Sequence, residues 1–150
     1  MNQIYAVGVA TALKQRMDHL QPDSVRQWGT MTPAQALAHC ASALEMALGE
    51  RRPPRMVIGY LIGWVIKPLA LGNDEPLRRN SPTVPGFAVT DQRHFMAEKA
   101  RLLTLIDRFV QAGPQGCTTH PHGFFGRLTP EQWSVLAYKH LDHHLRQFGV

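Results

Sequence analysis

The sequence predicts an all-α fold: a four-helix bundle with a long crossover that carries a short extra helix. Three observations lead there. Apolar residues recur at intervals of three and four over four separate stretches, the period of a helix with one inward face. A Thr-Pro-x-Gln start occurs twice, at Thr32 and at Thr129, and each gives a capping box with proline at the first helical position. No stretch sustains the period-two alternation of a half-buried strand.

The first helix is expected from about Asn2 to Leu20, with Ile4, Val7, Ala10, Leu13, Met17 and Leu20 on one face and Pro22 just beyond. The second begins at the Thr32 cap and closes at Gly49. Its inward face is Ala36, His39, Cys40, Ala43, Leu44 and Ala47, mostly small residues that let a neighbouring helix come close. Residues 50–89 form the crossover. Within it, "MVIGYLIGWVIKPLALG" (Met56 to Gly72) is shorter than a membrane span and contains Lys67 and Pro68, so it is expected as a short buried helix packed on the main body. The rest of the crossover, rich in Pro, Gly and Asn, is expected to be irregular and at the surface. The third main helix begins near Thr90 or Asp91 and runs through Phe95, Ala97, Lys99, Leu102, Leu105, Ile106 and Phe109 to Gly113. The fourth starts at Thr129 and turns Trp133, Leu136, Ala137, His140, Leu141, His144 and Phe148 inward.

A length of 150 residues suits one domain, 1–150, able to bury roughly 68 to 70% of its unfolded surface. With 44% apolar and 18% charged residues the chain is neither disordered nor fibrous. A formal charge of +5 attracts anions: phosphate groups, nucleic acid or a carboxylated small molecule. Arg51, Arg52, Arg55, Arg78 and Arg79 could form a basic rim, but no nucleic-acid motif or aromatic-basic stripe accompanies them, so nucleic acid is a minor expectation. Cys40 and Cys117 are too few for a disulfide framework and lack zinc-knuckle spacing; they read as buried, reduced thiols. No basic region precedes the first apolar residues, so a cleaved signal is not expected and the cytoplasm is the expected location, with no membrane association.

The closing stretch "YKHLDHHLRQFGV" places three histidines within five residues. At ~100° per residue, His140 and His144 lie ~40° apart and one turn apart on one helix face, where they can chelate one ion. His143 lies ~60° to the other side of His140, and a His140 and His143 pair is the less favoured alternative. Two ligands hold a metal weakly, so a third is expected from another helix, and His39 is the candidate, projecting from a face of small residues. Taken singly, an inward histidine is more often a satisfied core residue than a ligand. Cys40 points ~100° away from His39 and is not expected to ligate. His143 is a candidate neighbour of the site, Asp142 and Tyr138 could orient nearby groups, His120 and His122 order the loop before the last helix, and His19 and His94 are surface residues.

Four segments together resemble the DinB-like superfamily of metal-binding four-helix bundles: "QWGTMTPAQALAHC" from Gln27, "NSPTVPGF" from Asn80, "HPHGFFGRLTPEQW" from His120 and "YKHLDHHLRQFG" from Tyr138. They are distributed from about Trp28 to the end of the chain. The resemblance implies a single divalent ion, zinc or nickel, held by His39, His140 and His144. Similar proteins include enzymes dependent on low-molecular-weight thiols, so it implies a metal-dependent transferase or hydrolase acting on a small-molecule substrate, and a possible homodimer. The alternative is a non-catalytic metal- or ligand-binding helical bundle.

Overall fold

A computed structural model describes residues 2–150 of the chain. It is all-helical: α1 (Val9–Asp18), α2 (Pro33–Ala47), α3 (Val57–Leu71), α4 (Phe95–Ala112) and α5 (Pro130–Gln147), with a 3-10 turn at Pro114–Gly116. Among the described residues, β pairing is limited to one isolated bridge between His122 and Gly126.

Both expected capping boxes form. The Thr32 hydroxyl accepts from the Gln35 N–H at 3.2 Å while the Gln35 side chain accepts from the Thr32 N–H at 3.0 Å. Thr129 and Gln132 repeat the pair at the same distances. Each box satisfies two of the donors that a helix start leaves unpaired and so fixes where the turns begin. The faces of α2 and α5 are thereby set, and with them the directions of His39, His140 and His144.

Two helix starts differ from expectation. The first helix begins at Val9, because Gly8 adopts the left-handed region (φ 81°) and breaks the chain direction. Ile4 is still fully buried, but it arrives from a turn that lies on α5, with its N–H donating to the Ser134 carbonyl at 3.4 Å. Val7, expected on the inward stripe, faces solvent. The expected third main helix, α4, begins at Phe95, not at Thr90 or Asp91, since the His94 ring serves as its cap and accepts from the Ala97 N–H at 3.4 Å.

The third departure is larger. The crossover helix α3 is 15 residues long and is not buried. Only Gly59, Gly63 and Leu71 of it are buried; Val57, Tyr60, Leu61, Trp64 and Leu69 are all exposed. Glycine explains the seating: a Cβ at Gly59 or Gly63 would lie 2.5 Å from the Phe124 carbonyl oxygen, so α3 rests on the loop before α5 through two bare turns of backbone. The Met56 N–H donates to the Gly123 carbonyl at 2.8 Å, and Lys139 of α5 donates to the Ala70 carbonyl at 2.7 Å.

The core lies among α1, α2, α4 and α5, with α2 packed on α4 and α5 and with α1 packed on the same two helices. Leu13 and Met17 of α1, Ala41 and Leu44 of α2, Leu102, Ile106 and Phe109 of α4, and Trp133 and Leu141 of α5 are almost wholly excluded from water. The small residues of α2 let α4 approach closely, as expected from its sequence. Replacing Gly63 by valine should destabilise the protein by ~1–3 kcal/mol through overpacking against Phe124. Urea denaturation checks this, and an unchanged midpoint would mean that α3 is not held through its glycines.

Candidate metal centre

His39 sits nearly two turns past the start of α2, 6% exposed, and its Nδ1 lies 2.8 Å from the Phe87 carbonyl oxygen. A carbonyl only accepts, so Nδ1 carries the proton and Nε2 presents a lone pair. That lone pair faces α5: His140 Nε2 is 2.9 Å away. His144, one turn further along α5, puts its Nδ1 2.8 Å from Gln147 Oε1, which again leaves Nε2 as the bare nitrogen. Gln147 is fixed in that orientation because its Nε2 donates to the Trp28 carbonyl at 2.8 Å. The ring centroids of the three histidines are 4.7 to 5.0 Å apart, and one ligand atom from each lies within 4.8 Å of the others.

The donor set fits a divalent cation. Two ring nitrogens at 2.9 Å must share a proton or a cation, since lone pair against lone pair repels. Tetrahedral zinc, with Zn–N bonds of ~2.0–2.1 Å, requires its nitrogens roughly 3.3 Å apart. The observed spacing brackets that value. Two of the rings also make the outer hydrogen bond that metal-binding histidines make, one to a backbone carbonyl and one to a side-chain amide. A three-histidine group of this geometry could hold a metal ion.

Electrostatics keep the rings neutral and therefore competent as ligands. Burial holds His39 below its ordinary value, against an opposing effect of the Phe87 carbonyl. Burial also pushes His144 down to about 3 and His140 well below its usual range, and the neighbouring histidines add to both shifts. Cys40 is buried with its thiol pushed up by desolvation, and it takes no part in the three-histidine group.

The other residues singled out from sequence lie around this group. His143 points away from it, with Nδ1 3.2 Å from the Leu77 carbonyl and its ring against Trp28. Asp142 is buried and pairs with Arg16 at 2.7 Å and with Arg146 at 2.8 Å, tying α1 to α5 and orienting no histidine. Tyr138 accepts from Asn2 on the surface. His120 contacts the Pro53 carbonyl, and His122 Nδ1 accepts from the N–H groups of Phe124 and Phe125, so both order the loop. Cys117 is only partly buried, 3.1 Å from the Tyr5 hydroxyl, which corrects the expectation of two buried thiols.

Sequence reasoning missed Phe87 and Gln147 as the groups that orient the rings. The signal for Gln147 was present in its spacing, three residues after His144 on the same helix. Phe87 is 48 residues from His39, and nothing local announces that contact.

On the far side of His143 is an open groove of about 430 Å³, lined by Gln27, Trp28, Leu77, Arg79, His143 and Arg146 and by none of the three grouped histidines. Arg79 lies over the Trp28 ring at 4.2 Å, and the buried Trp28 Nε1 has no acceptor among the described residues. The His143 ring that forms one wall lies 5.1 Å from that of His144.

These features define a class: an all-helical protein with three neutral imidazoles gathered between two helices. The chain belongs to the DUF1569 family, described as a protein of unknown function, whose family model matches residues 8–149. No curated protein and no solved structure matches the chain.

Stability of the metal-free protein should depend on pH through these rings. Their folded pKa values lie below the ordinary ~6.5, so the unfolded chain binds protons more readily. Their contribution is fully present above about pH 6.5 and is lost as pH falls towards the value of about 3 at His144, with His122, pushed down to about 4, adding to the slope. Urea midpoints should fall steadily from pH 7.5 to pH 4, and His144→Gln should flatten the curve; an equal slope in the variant would contradict the assignment.

Proposed function

We propose that the protein is a divalent-metal-dependent enzyme of the DinB-like kind. In this reading α1, α2, α4 and α5 form a four-helix bundle, and His39, His140 and His144 hold one zinc or nickel ion. The reaction is a transfer or hydrolysis on a small molecule, with a low-molecular-weight thiol as the favoured substrate class. The observation that carries the reading is the approach of the bare Nε2 of His39 to His140 Nε2 at 2.9 Å, with His144 closing the group.

A cation held by three neutral imidazoles keeps its full charge and, in a three-ligand site, supplies a Lewis acid that lowers the pKa of a bound water or stabilises a thiolate. The chain's own groups do the rest. Phe87 and Gln147 fix the tautomers of His39 and His144, so both rings present an unprotonated nitrogen without any rearrangement. The groove beyond His143, whose ring lies 5.1 Å from that of His144, is within the ~300–1,000 Å³ of ordinary small-molecule sites, and Arg79 on its wall favours a substrate bearing a carboxylate or phosphate. Stacking on the Trp28 ring at 4.2 Å holds the Arg79 guanidinium at that wall.

Metal analysis of protein purified without a histidine tag is the direct test. Wild type should carry close to one equivalent of zinc or nickel and His144→Ala much less; equally low contents would overturn the assignment. Gln147→Ala should keep the fold but weaken metal affinity ~10–100-fold, measured by competition with a chelator. Metal-loaded protein that neither transfers any of several cellular thiols nor cleaves an ester would favour a non-catalytic binding bundle.

A further inference from the structure

The exposed side of α3 has no role in the centre just described. Tyr60, Leu61 and Trp64 are 64%, 66% and 73% exposed, and Val57, Ile58, Ile62, Val65 and Leu69 join them. At ~100° per residue, the apolar exposed residues run from Tyr60 through Trp64, Val57, Leu61 and Leu69 to Ile62, an arc of about 200° with no polar side chain in it. Monomeric proteins rarely leave so large a continuous patch in water.

We propose that α3 seats the protein on an anionic membrane surface, lying in the headgroup region with its long axis in the membrane plane. Three observations select a lipid surface. The first is the width of the arc. A second copy of α3 would cover an apolar stripe of ~100° and leave the rest bare, whereas immersion covers half the girth at once. A helix ~10–12 Å across that sinks by half its diameter reaches ~5–6 Å, within the ~5–10 Å depth of interfacial helices.

The second is charge. Between residues 51 and 67 the chain has Arg51, Arg52, Arg55 and Lys67 and no acidic residue; Asp74 and Glu75 follow only beyond the C-terminal end of α3. The Arg55 guanidinium lies 4.2 Å from the centroid of the Tyr60 ring, at the edge of the arc. Lys67 flanks the arc, one helical position outside its Tyr60 edge, and donates to the Arg127 carbonyl. Cations bordering an apolar face complement the phosphates of anionic lipids.

The third is the satisfaction of polar groups. Trp64 Nε1 donates within its own helix to the Leu61 carbonyl at 3.0 Å, so the indole brings no unpaired donor into the lipid. Its bulk and that of Tyr60 suit the boundary between headgroup and hydrocarbon. No helix among the described residues is long and apolar enough to cross a membrane, so the contact is with one leaflet.

The test uses the full chain with vesicles of phosphatidylcholine alone and vesicles that also contain phosphatidylglycerol. The protein should co-sediment with the anionic vesicles only, and binding should weaken steeply with added salt. Lipids brominated on their acyl chains should quench Trp64 fluorescence, a signal lost in Trp64→Phe. Arg52→Gln should weaken binding ~5-fold, the effect of one surface charge. Leu61→Glu combined with Trp64→Glu should abolish binding while circular dichroism and metal content stay unchanged, since both side chains point away from the body. Failure to bind anionic vesicles, or binding that survives the double variant, overturns the proposal. A dimer in light scattering that becomes monomeric in the double variant, without vesicle binding by wild type, assigns the face to a second copy instead.

Discussion

A neutral imidazole buried on a helix of alanines and leucines needs a partner for each ring nitrogen, and His39 meets that requirement from two directions. The Phe87 carbonyl, brought in by the crossover, takes its Nδ1 proton, and His140 of α5 faces its Nε2. Much of the architecture serves this arrangement. The crossover must return a carbonyl to α2, and α2 must be narrow enough for α5 to come within reach. Gln147 must stand against the backbone of Gly29, where a Cβ would lie 2.5 Å from its amide. The Gln147 carbonyl accepts from the Gln27 N–H at 2.7 Å, which ties the segment before α2 to the end of α5.

Burial has opposite consequences for the two kinds of soft ligand near the centre. Desolvation drives histidines towards the neutral form that binds metal, but drives Cys40 towards the thiol form that does not. The same low-dielectric surroundings therefore favour nitrogen and disfavour sulfur, even though Cys40 is the next residue in the chain. Asp142, close to the histidines in sequence, is buried and occupied by Arg16 of α1 and by Arg146, and it is not part of the three-histidine group. A cation held there would keep its charge.

What the sequence revealed and what it hid divide by the range of the interaction. The two Thr-Pro-x-Gln boxes are local, with every participating atom within four residues, and the starts of α2 and α5 were legible for that reason. With both starts known, helical periodicity alone turned His39, His140 and His144 inward. The start of α1 was misread because an apolar period continues through Gly8, while the backbone there takes a left-handed turn. The burial of α3 was misread because apolar composition says only that a segment can be buried, not that the fold provides a surface to bury it against. The glycines of that helix were visible, but their contact, the Phe124 carbonyl, lies some sixty residues away in the chain and no local pattern encodes it.

Whether three imidazoles meet at one cation is tested most directly by X-ray absorption at the zinc edge of the metal-loaded protein. It should show nitrogen scatterers at ~2.0–2.1 Å with the outer-shell pattern of three imidazole rings. A shell containing sulfur at ~2.3 Å, or one made of oxygen atoms without imidazole scattering, would contradict it.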